Sequence, residues 1–320
     1  MTVRVGIYGG NGHQIHGALA GHPRATLVAT AAFDPDLVGA DRSIRHYDSL
    51  ADLLTDDRVD LVSLCSPRRA DQAADAITCL RAGRAVYAEK PSALSEADLD
   101  QILATAEATG LPFHEMADTA FQQPFSAARL LLRDRVVGRV LQVHAQKSYP
   151  YHDNRPIDAD VDGGLIRWAG IHAIRMIEHV VGERVEDIAD ARTTEVDVGG
   201  RPFTIAASLS FTLASGGLAS AVVNYLNPPG SGSWGDDRLR VFGTYGLIDI
   251  TAGNASRLVV GTADLGQLDT TGPVAGYFDH YVDALLDGAP MPMTIEEEIR
   301  PTRIAIRAHE MAVAIARRAS

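Results

Sequence analysis

Cysteine is nearly absent from this sequence: Cys65 and Cys79 are the only two among 320 residues. That excludes a disulfide framework and a thiolate metal cluster. One lies in an apolar strand pattern and the other in a helical run, where a free thiol serves as a small hydrophobe. Long apolar runs are missing too. None approaches the roughly 20 uninterrupted residues of a membrane-spanning helix, and Met1–Val5 lead into a strand pattern without a charged and apolar leader. The expectation is a cytoplasmic protein with no membrane partner. Positive charge is scarce, with 29 Lys and Arg against 41 Asp and Glu and a formal charge of −12. The basic residues are scattered rather than concentrated on one face, which argues against nucleic acid as a partner. What the chain does have is apolar residues, 46% against 22% charged, enough for a core in each of two domains.

Up to residue 118, short apolar runs alternate with helical patterns, the signature of a parallel sheet covered by helices. Strands are expected over Val3–Tyr8, Thr26–Phe33 (running to Asp34), Asp60–Cys65 and Val86–Ala88. Helices are expected from about Gly12, over Ser49–Leu54 and Ala70–Ala82, and from Ser95 to Gly110, where Ser95 and Asp98 have the spacing of a capping box. Beyond residue 118 the texture changes. A helix over Phe125–Arg133, a strand over Val140–Tyr149, a helix over Gly164–Val181 and alternating stretches at Phe203–Phe211 and Leu218–Tyr225 predict an antiparallel sheet with helices. Residues 228–235 are the most turn-rich segment, expected at the sheet's edge or over a site. Ile295–Arg318 reads as a helix or a bent pair.

Gly9-Gly10-Asn11-Gly12-His13-Gln14 stands directly after the first strand and opens a helix. Such a turn lets backbone amides and a helix N-terminus approach a pyrophosphate. Against G-x-G-x-x-G only Gly9 fits, because Asn11 and Gln14 hold the second and third glycine positions. Asn tolerates positive φ, and Gly10 and Gly12 flank it. Asp34 stands at the end of the second strand, about 20 residues on, where a carboxylate accepts hydrogen bonds from ribose hydroxyls. A tight turn and a loop acid explain either feature alone; together, in this strand context, they indicate a dinucleotide. The same carboxylate repels a 2′-phosphate and so favours NAD over NADP. His13 and His16 share one side of a first helical turn and His22 follows, but no carboxylate or thiol completes a metal set, so no metal is expected. His114-Glu115 lacks the second His of a zinc-protease helix.

Further segments follow in order: Ser66-Pro67 after the strand ending at Cys65, Ala82-Gly83, Glu89-Lys90-Pro91, and Gly163-Gly164 with Gly170-Ile171-His172. In these segments, spread over essentially the whole length, the chain resembles the glucose-fructose oxidoreductase, inositol dehydrogenase and rhizopine-catabolism family, Gfo/Idh/MocA. The resemblance implies an α/β protein of two domains. Residues 1–118 would form a doubly wound parallel-sheet (Rossmann) domain, and residues 119–320 an α/β substrate-binding and oligomerisation domain with a large, mostly antiparallel open sheet. It implies NAD on Gly9, Gly10, Asn11, Gly12, His13, Gln14, Asp34, Ser66, Pro67, Glu89 and Lys90. Lys90 would lie beside the nicotinamide and hydrogen-bond the hydroxyl being oxidised, and His172 would be the catalytic histidine. The chemistry is sensible: Pro91 biases Lys90 towards extended backbone, and desolvation lowers an amine's pKa towards useful values.

The pattern has departures. Trp168 and Arg175 hold the places of the family's two aspartates around His172. Ser66-Pro67-Arg68-Arg69 lacks the usual Asn and following His, and Phe121-Gln122-Gln123-Pro124 lacks the usual Arg-aromatic pair. The substrate pocket has therefore diverged more than the cofactor pocket. Lys90, Trp168, His172, Arg175, Tyr149 and His152 are the expected substrate contacts. Tyr149, Tyr151, His152, Asp153 and Arg155 form a polar and aromatic cluster that either replaces lost contacts or is a solvated loop. Arg175 suggests a carboxylate or phosphate on the substrate, or an exterior salt bridge with Glu178 or another acid. The implied function is reversible hydride transfer between NAD and a secondary hydroxyl of a sugar, cyclitol or related polyol. Two other readings stand beside it: transient oxidation serving elimination, epimerisation or glycoside cleavage, and a non-catalytic dinucleotide-binding regulator. A homodimer or homotetramer through the sheet face is expected.

Overall fold

The computed structural model describes residues 1–39, 41–152 and 155–319, so Asp153 of the expected cluster lies outside the described residues. The chain divides into two compact units, and not by a single cut. The first takes Met1–Met116, Asp160–Gly163 and Tyr277–Ile299; the second takes Ala117–Ala159, Gly164–Gly276 and the chain from Arg300 on.

The first unit is built on β1 (Val3–Tyr8), β2 (Ala25–Ala31), β3 (Arg45–Tyr47), β4 (Leu61–Leu64), β5 (Ala85–Ala88) and β6 (Phe113–Glu115), with α1 (His16–Leu19), α2 (Leu50–Leu54), α3 (Gln72–Arg81) and α4 (Glu96–Thr109) between them. The strand order is β3-β2-β1-β4-β5-β6 and every pairing is parallel, the doubly wound arrangement expected. All residues of β4 and β5 are buried, which is why both read as continuous apolar runs. Val62, Leu64 and Val86 of these strands form a core with Leu53, Leu80, Leu99 and Ile102, each such side chain contributing about 1.5–3 kcal/mol when fully buried. Ser49 caps α2 by accepting from the Asp52 amide, Ser95 caps α4 by accepting from the Asp98 amide, and Gly110 ends α4 in the left-handed conformation.

Three local expectations are corrected. The helix after Gly12 is only the single turn of α1. The second strand stops at Ala31, because Ala32 turns the chain with φ 47° and Asp34 caps a 3-10 turn over Pro35–Val38. β3 escaped notice because Arg45-His46-Tyr47 has neither length nor an apolar run.

The second unit holds α5 (Phe125–Arg133), β7 (Val140–Ser148), the first residue of α6 (Ala159–Asp162, whose other three belong to the first unit), α7 (Ile171–Arg175), β8 (Val185–Val198), β9 (Arg201–Leu213), β10 (Leu218–Asn224), β11 (Asp236–Gly243), β12 (Gly246–Ile250), β13 (Ser256–Val260) and β14 (Ala263–Gly266). Its sheet runs β14-β13-β12-β11-β7-β10-β9-β8. Only β7 and β10 pair in parallel; the other pairings are antiparallel. The regular helix expected over Gly164–Val181 is instead a π turn at Ile166–Gly170, the α turn of α7, and a second π turn at Met176–Val180. The turn-rich 228–235 segment joins β10 to β11, the two neighbours of β7, so it crosses the end of a central strand and not the sheet's edge. Asn227 holds it there by donating to Ser233 O at 2.9 Å and Trp234 O at 3.0 Å.

Two last helices follow, α8 (Tyr277–Asp287) and α9 (Ile295–Ala319), the latter continuous through Pro301. α8 was not foreseen. Its Tyr281 hydroxyl donates to Val86 O and Pro112 O at 3.2 and 3.0 Å, fastening it to the first unit. No described helix is long and apolar enough to cross a membrane.

Candidate dinucleotide and substrate sites

In the order β2-β1-β4 the sheet changes winding direction between β1 and β4, and a crevice opens at the carboxyl ends of strands at such a point. Residues 9–14 sit there. Gly9 has φ 70°, and a Cβ on it would fall 2.1 Å from Cys65 O. Only glycine lets the chain turn so close to the end of β4. The Gly9 amide donates to Ala31 O at 3.0 Å and the Asn11 amide to Cys65 O at 3.3 Å.

The two side chains that replace motif glycines hold the turn in place. Asn11 Nδ2 donates to Val161 O at 2.5 Å and to Pro67 O at 3.3 Å. Gln14 Nε2 donates to Tyr8 O, Gly9 O and Ser63 O at 2.9–3.2 Å, while its Oε1 accepts from the Ser63 hydroxyl and the Ile15 amide. What these residues offer a ligand is therefore backbone. Among the described residues the amides of Gly10 and Gln14 donate to nothing, which leaves two N–H groups for an oxyanion. A one-turn α1 contributes little macrodipole, so the fit to a dinucleotide rests on these amides and not on a helix end.

Behind the turn stands Glu89, fully buried. A Cβ on Gly12, whose φ is 127°, would lie 2.7 Å from Glu89 Cγ. Glu89 Oε1 is 3.0 Å from Nδ1 of His13, whose side chain is 59% exposed, and 3.5 Å from Lys90 Nζ. Burial pushes the Glu89 carboxyl upward. The charges of His13 and Lys90, the His13 hydrogen bond and Arg69 outweigh it and hold the group below the usual carboxylate range. Lys90 is 1% exposed, and its peptide to Pro91 is cis.

Two residues that sequence reasoning passed over fix this segment. Gln72 Nε2 donates to Glu89 O at 2.5 Å and Pro91 O at 3.0 Å. Arg69, completely buried, donates to Gln72 Oε1 and to Asn11 O. An arginine pair directly after a buried strand was the available signal. Ser66 faces α3: its hydroxyl donates to Asp75 at 2.6 Å and its amide to Gln72 Oε1. Pro67 touches the turn through its carbonyl. Gly163, with φ 103°, packs on Pro91, Leu94 and Arg69; it is the positive φ that favours glycine there.

Asp34 is exposed. One oxygen accepts from the Asp36 amide at 3.0 Å, and among the described residues the other accepts nothing, which leaves it for a ribose hydroxyl. The three early histidines diverge: His13 goes to Glu89, His16 packs tilted against Phe33, and His22 bonds Asp279 at 3.0 Å.

In the second unit, Tyr149 and Trp168 come together with ring centroids 5.2 Å apart, and Trp168 and Tyr225 are 6.3 Å apart. Arg155 lies over the rings of Trp168 and Tyr225. Lys147 Nζ sits over the Tyr149 ring at 4.6 Å and pairs with Asp237 at 2.7 Å. Lys147, Tyr225 and Asp237 were not foreseen; each lies where a strand ends or begins beside the turn-rich crossing. His152 is exposed, 6.0 Å from Trp234 between ring centroids. His172 is half-buried on α7, after the π turn that carries Trp168, so their four-residue spacing is not that of a regular α-helical turn. Arg175 is 1% exposed, so its expected exterior position is corrected to a buried one; Glu178 accepts from Arg300 at 3.1 Å and from the Val185 amide at 2.8 Å.

With this geometry in view, residues 3–116 match the profile of an oxidoreductase family with an NAD-binding Rossmann fold, and residues 125–249 that of the GFO/IDH/MocA C-terminal domain. A trans-1,2-dihydrobenzene-1,2-diol dehydrogenase of Sus scrofa is 28% identical over 187 residues, 55% of each chain. A myo-inositol 2-dehydrogenase of Thermotoga maritima is 26% identical over 215 residues, 64% of this chain and 60% of that one. The match thus spans 55–60% of these curated relatives' length. Among solved structures, an aldose-aldose oxidoreductase of Caulobacter crescentus complexed with glycerol superposes with TM-score 0.83 at 19% identity, covering 98% of both chains. The WlbA dehydrogenase of Bordetella pertussis, in complex with NADH and UDP-GlcNAcA, superposes with TM-score 0.80 at 18% identity, covering 98% of this chain and 97% of that one. The likeness to both structures is one of fold.

Proposed function

The chain belongs to the Gfo/Idh/MocA family of oxidoreductases, and from that premise we propose that it is an NAD-dependent dehydrogenase acting on a secondary hydroxyl of a sugar, cyclitol or related polyol. The observation that carries the reading is the shared neighbour of turn and amine. Glu89 packs against Gly12, bonds His13 and stands 3.5 Å from Lys90 Nζ, so the backbone proposed to hold the diphosphate and the amine proposed to work on the hydroxyl are braced by one buried carboxylate. The two relatives named above, dehydrogenases of a cyclic diol and a cyclitol, support the substrate class.

Bound NAD supplies the hydride acceptor. The rest falls to side chains. Lys90 Nζ orients the hydroxyl and takes its proton; Glu89 and the exposed His13 offer that proton a path to solvent. Asp34 holds the ribose and disfavours a 2′-phosphate, giving NAD its preference over NADP. His172 keeps its proposed part in proton transfer, and Ser66, Pro67, Trp168, Arg175, Tyr149 and His152 remain proposed contacts or supports. A homodimer or homotetramer belongs to the same reading and is tested by light scattering.

The deciding experiment titrates the purified protein with NADH and NADPH by fluorescence, then follows NADH formation over a polyol and inositol panel. Lys90→Ala is expected to lose turnover by at least about a hundredfold while keeping NADH affinity. Turnover at the unaltered rate in that variant removes Lys90 from the reaction.

A further inference from the structure

Arg155, in the second unit, is a buried cation with no counter-charge among the described residues. Arg155 is 6% exposed. Among the described residues its guanidinium meets no carboxylate and no hydrogen-bond acceptor, and its Nε is buried without a partner. What it does meet is aromatic: Cζ lies 3.7 Å from the ring centroid of Tyr225 and 4.9 Å from that of Trp168. Those centroids are 6.3 Å apart, so the rings cover adjacent sides of the guanidinium and do not clamp it. Ring faces attract a cation but accept none of the five N–H bonds a guanidinium offers, and a buried charge is stable only when paired and hydrogen-bonded.

The second cation of the cluster is already matched, since Lys147 Nζ stands 2.7 Å from Asp237 Oδ2. Among the described residues of this cluster the surplus is the single positive charge of Arg155, on a planar fork. A carboxylate meets it with one negative charge and two coplanar oxygens, whereas a phosphate dianion would bring a second charge that no described residue of the cluster meets. Tyr149, Trp168 and Tyr225 add apolar faces of the kind that pack on the C–H side of a sugar.

We infer that Arg155 is the recognition point for a substrate carboxylate, and that the compound oxidised is a sugar acid, an aldonate or uronate, in preference to a neutral polyol. The inference deepens the dehydrogenase reading and rests on it for the reaction, though not for the anion site.

The test reads binding and turnover separately, on the full chain. Trp168 and Trp234 are the only tryptophans, so Trp234→Phe leaves Trp168, the ring beside Arg155, as the sole indole reporter. Gluconate is compared with glucitol, and glucuronate with glucose and with glucose 6-phosphate. In at least one pair the acid is expected to bind at least about tenfold more tightly than its neutral partner, the scale of one charge-assisted contact. Arg155→Met should erase that preference and Arg155→Lys keep part of it. Should Arg155→Met fail to fold, calorimetry of the same pairs on the unaltered protein still decides. Equal binding of acid and neutral partners, survival of the preference in Arg155→Met, or tighter binding of the phosphate than of glucuronate each overturns the assignment. Acid-selective binding without NADH formation from any compound would instead support the anion site and remove the dehydrogenase reading.

Discussion

Adding one methyl group at Gly12 tests the link between cofactor turn and reactive amine. In Gly12→Ala the new Cβ falls 2.7 Å from Glu89 Cγ, on a backbone with φ 127°. Holding an alanine at such a φ costs about 1–3 kcal/mol, and crowding a packed side chain costs about 1–3 kcal/mol more. The total is about 2–6 kcal/mol. If the turn relaxes in the free protein, dinucleotide binding must restore it and the cost appears in Kd: at 1.4 kcal/mol per decade, even the lower bound weakens NADH about thirtyfold. If the turn does not relax, the cost appears in stability. Fluorescence titration of NADH and urea unfolding, run on the same preparation, should together account for at least about 2 kcal/mol. Displacing Glu89 also disturbs the surroundings of Lys90, so kcat should fall. A variant with unchanged Kd, unchanged urea midpoint and unchanged kcat would show that the turn and Glu89 do not press on each other as described.

Other expectations follow from single residues. Asp34→Ser removes the proposed ribose acceptor and the repulsion of a 2′-phosphate; NAD should weaken about tenfold or more while the NAD/NADP ratio of kcat/KM falls, and an unmoved ratio would exonerate Asp34. Glu89→Gln removes the buried negative charge 3.5 Å from Lys90 Nζ and the ionic character of the His13 hydrogen bond, at a cost of about 1.5–3 kcal/mol near neutral pH, the scale of one hydrogen bond to a charged group. Because the folded protein holds the Glu89 carboxyl below its ordinary value, the stabilisation is fully present above about pH 4.3 and is lost as pH falls below it. The urea-stability gap between wild type and variant should therefore narrow towards pH 3; a widening gap refutes the sign. His309, lowered to about 4 by burial and by Arg167, is neutral in the folded chain while the unfolded chain takes up its proton near pH 6.5. Its contribution is present above that value and lost as pH falls towards 4, so His309→Gln should flatten the decline of Tm across this window, and an unchanged slope counts against it.

The strands of the first unit were legible where burial on both faces made them continuous apolar runs, as in Leu61–Leu64, and its helices where caps spoke, as at Ser95 and Gly110. Arg45–Tyr47 was not legible, because an edge strand of three polar and aromatic residues leaves no periodic trace. Nor were the π turns flanking α7, since a shift in backbone hydrogen bonding hides inside an apolar helical pattern. At the site, Gly9 and Gly12 could be picked out because glycine is the one residue their φ values and close approaches allow. Arg69 and Gln72 could not, because their work is to satisfy carbonyls and amides of segments distant in sequence. Asn11 and Gln14 looked like defects in a glycine pattern. They are polar ties that stiffen the bend in another way.

Residues 160–163 and 277–299 carry a practical consequence for anyone wishing to isolate the nucleotide half. Asn11 leans on Val161, the buried Glu298 carboxylate receives the Glu115 amide at 2.5 Å, and Tyr281 anchors to Val86 of β5 and to Pro112 just before β6. A fragment stopped near residue 118 would expose every one of these surfaces at once. A self-sufficient version has to be spliced from all three stretches, 1–116, 160–163 and 277–299, joined through short linkers.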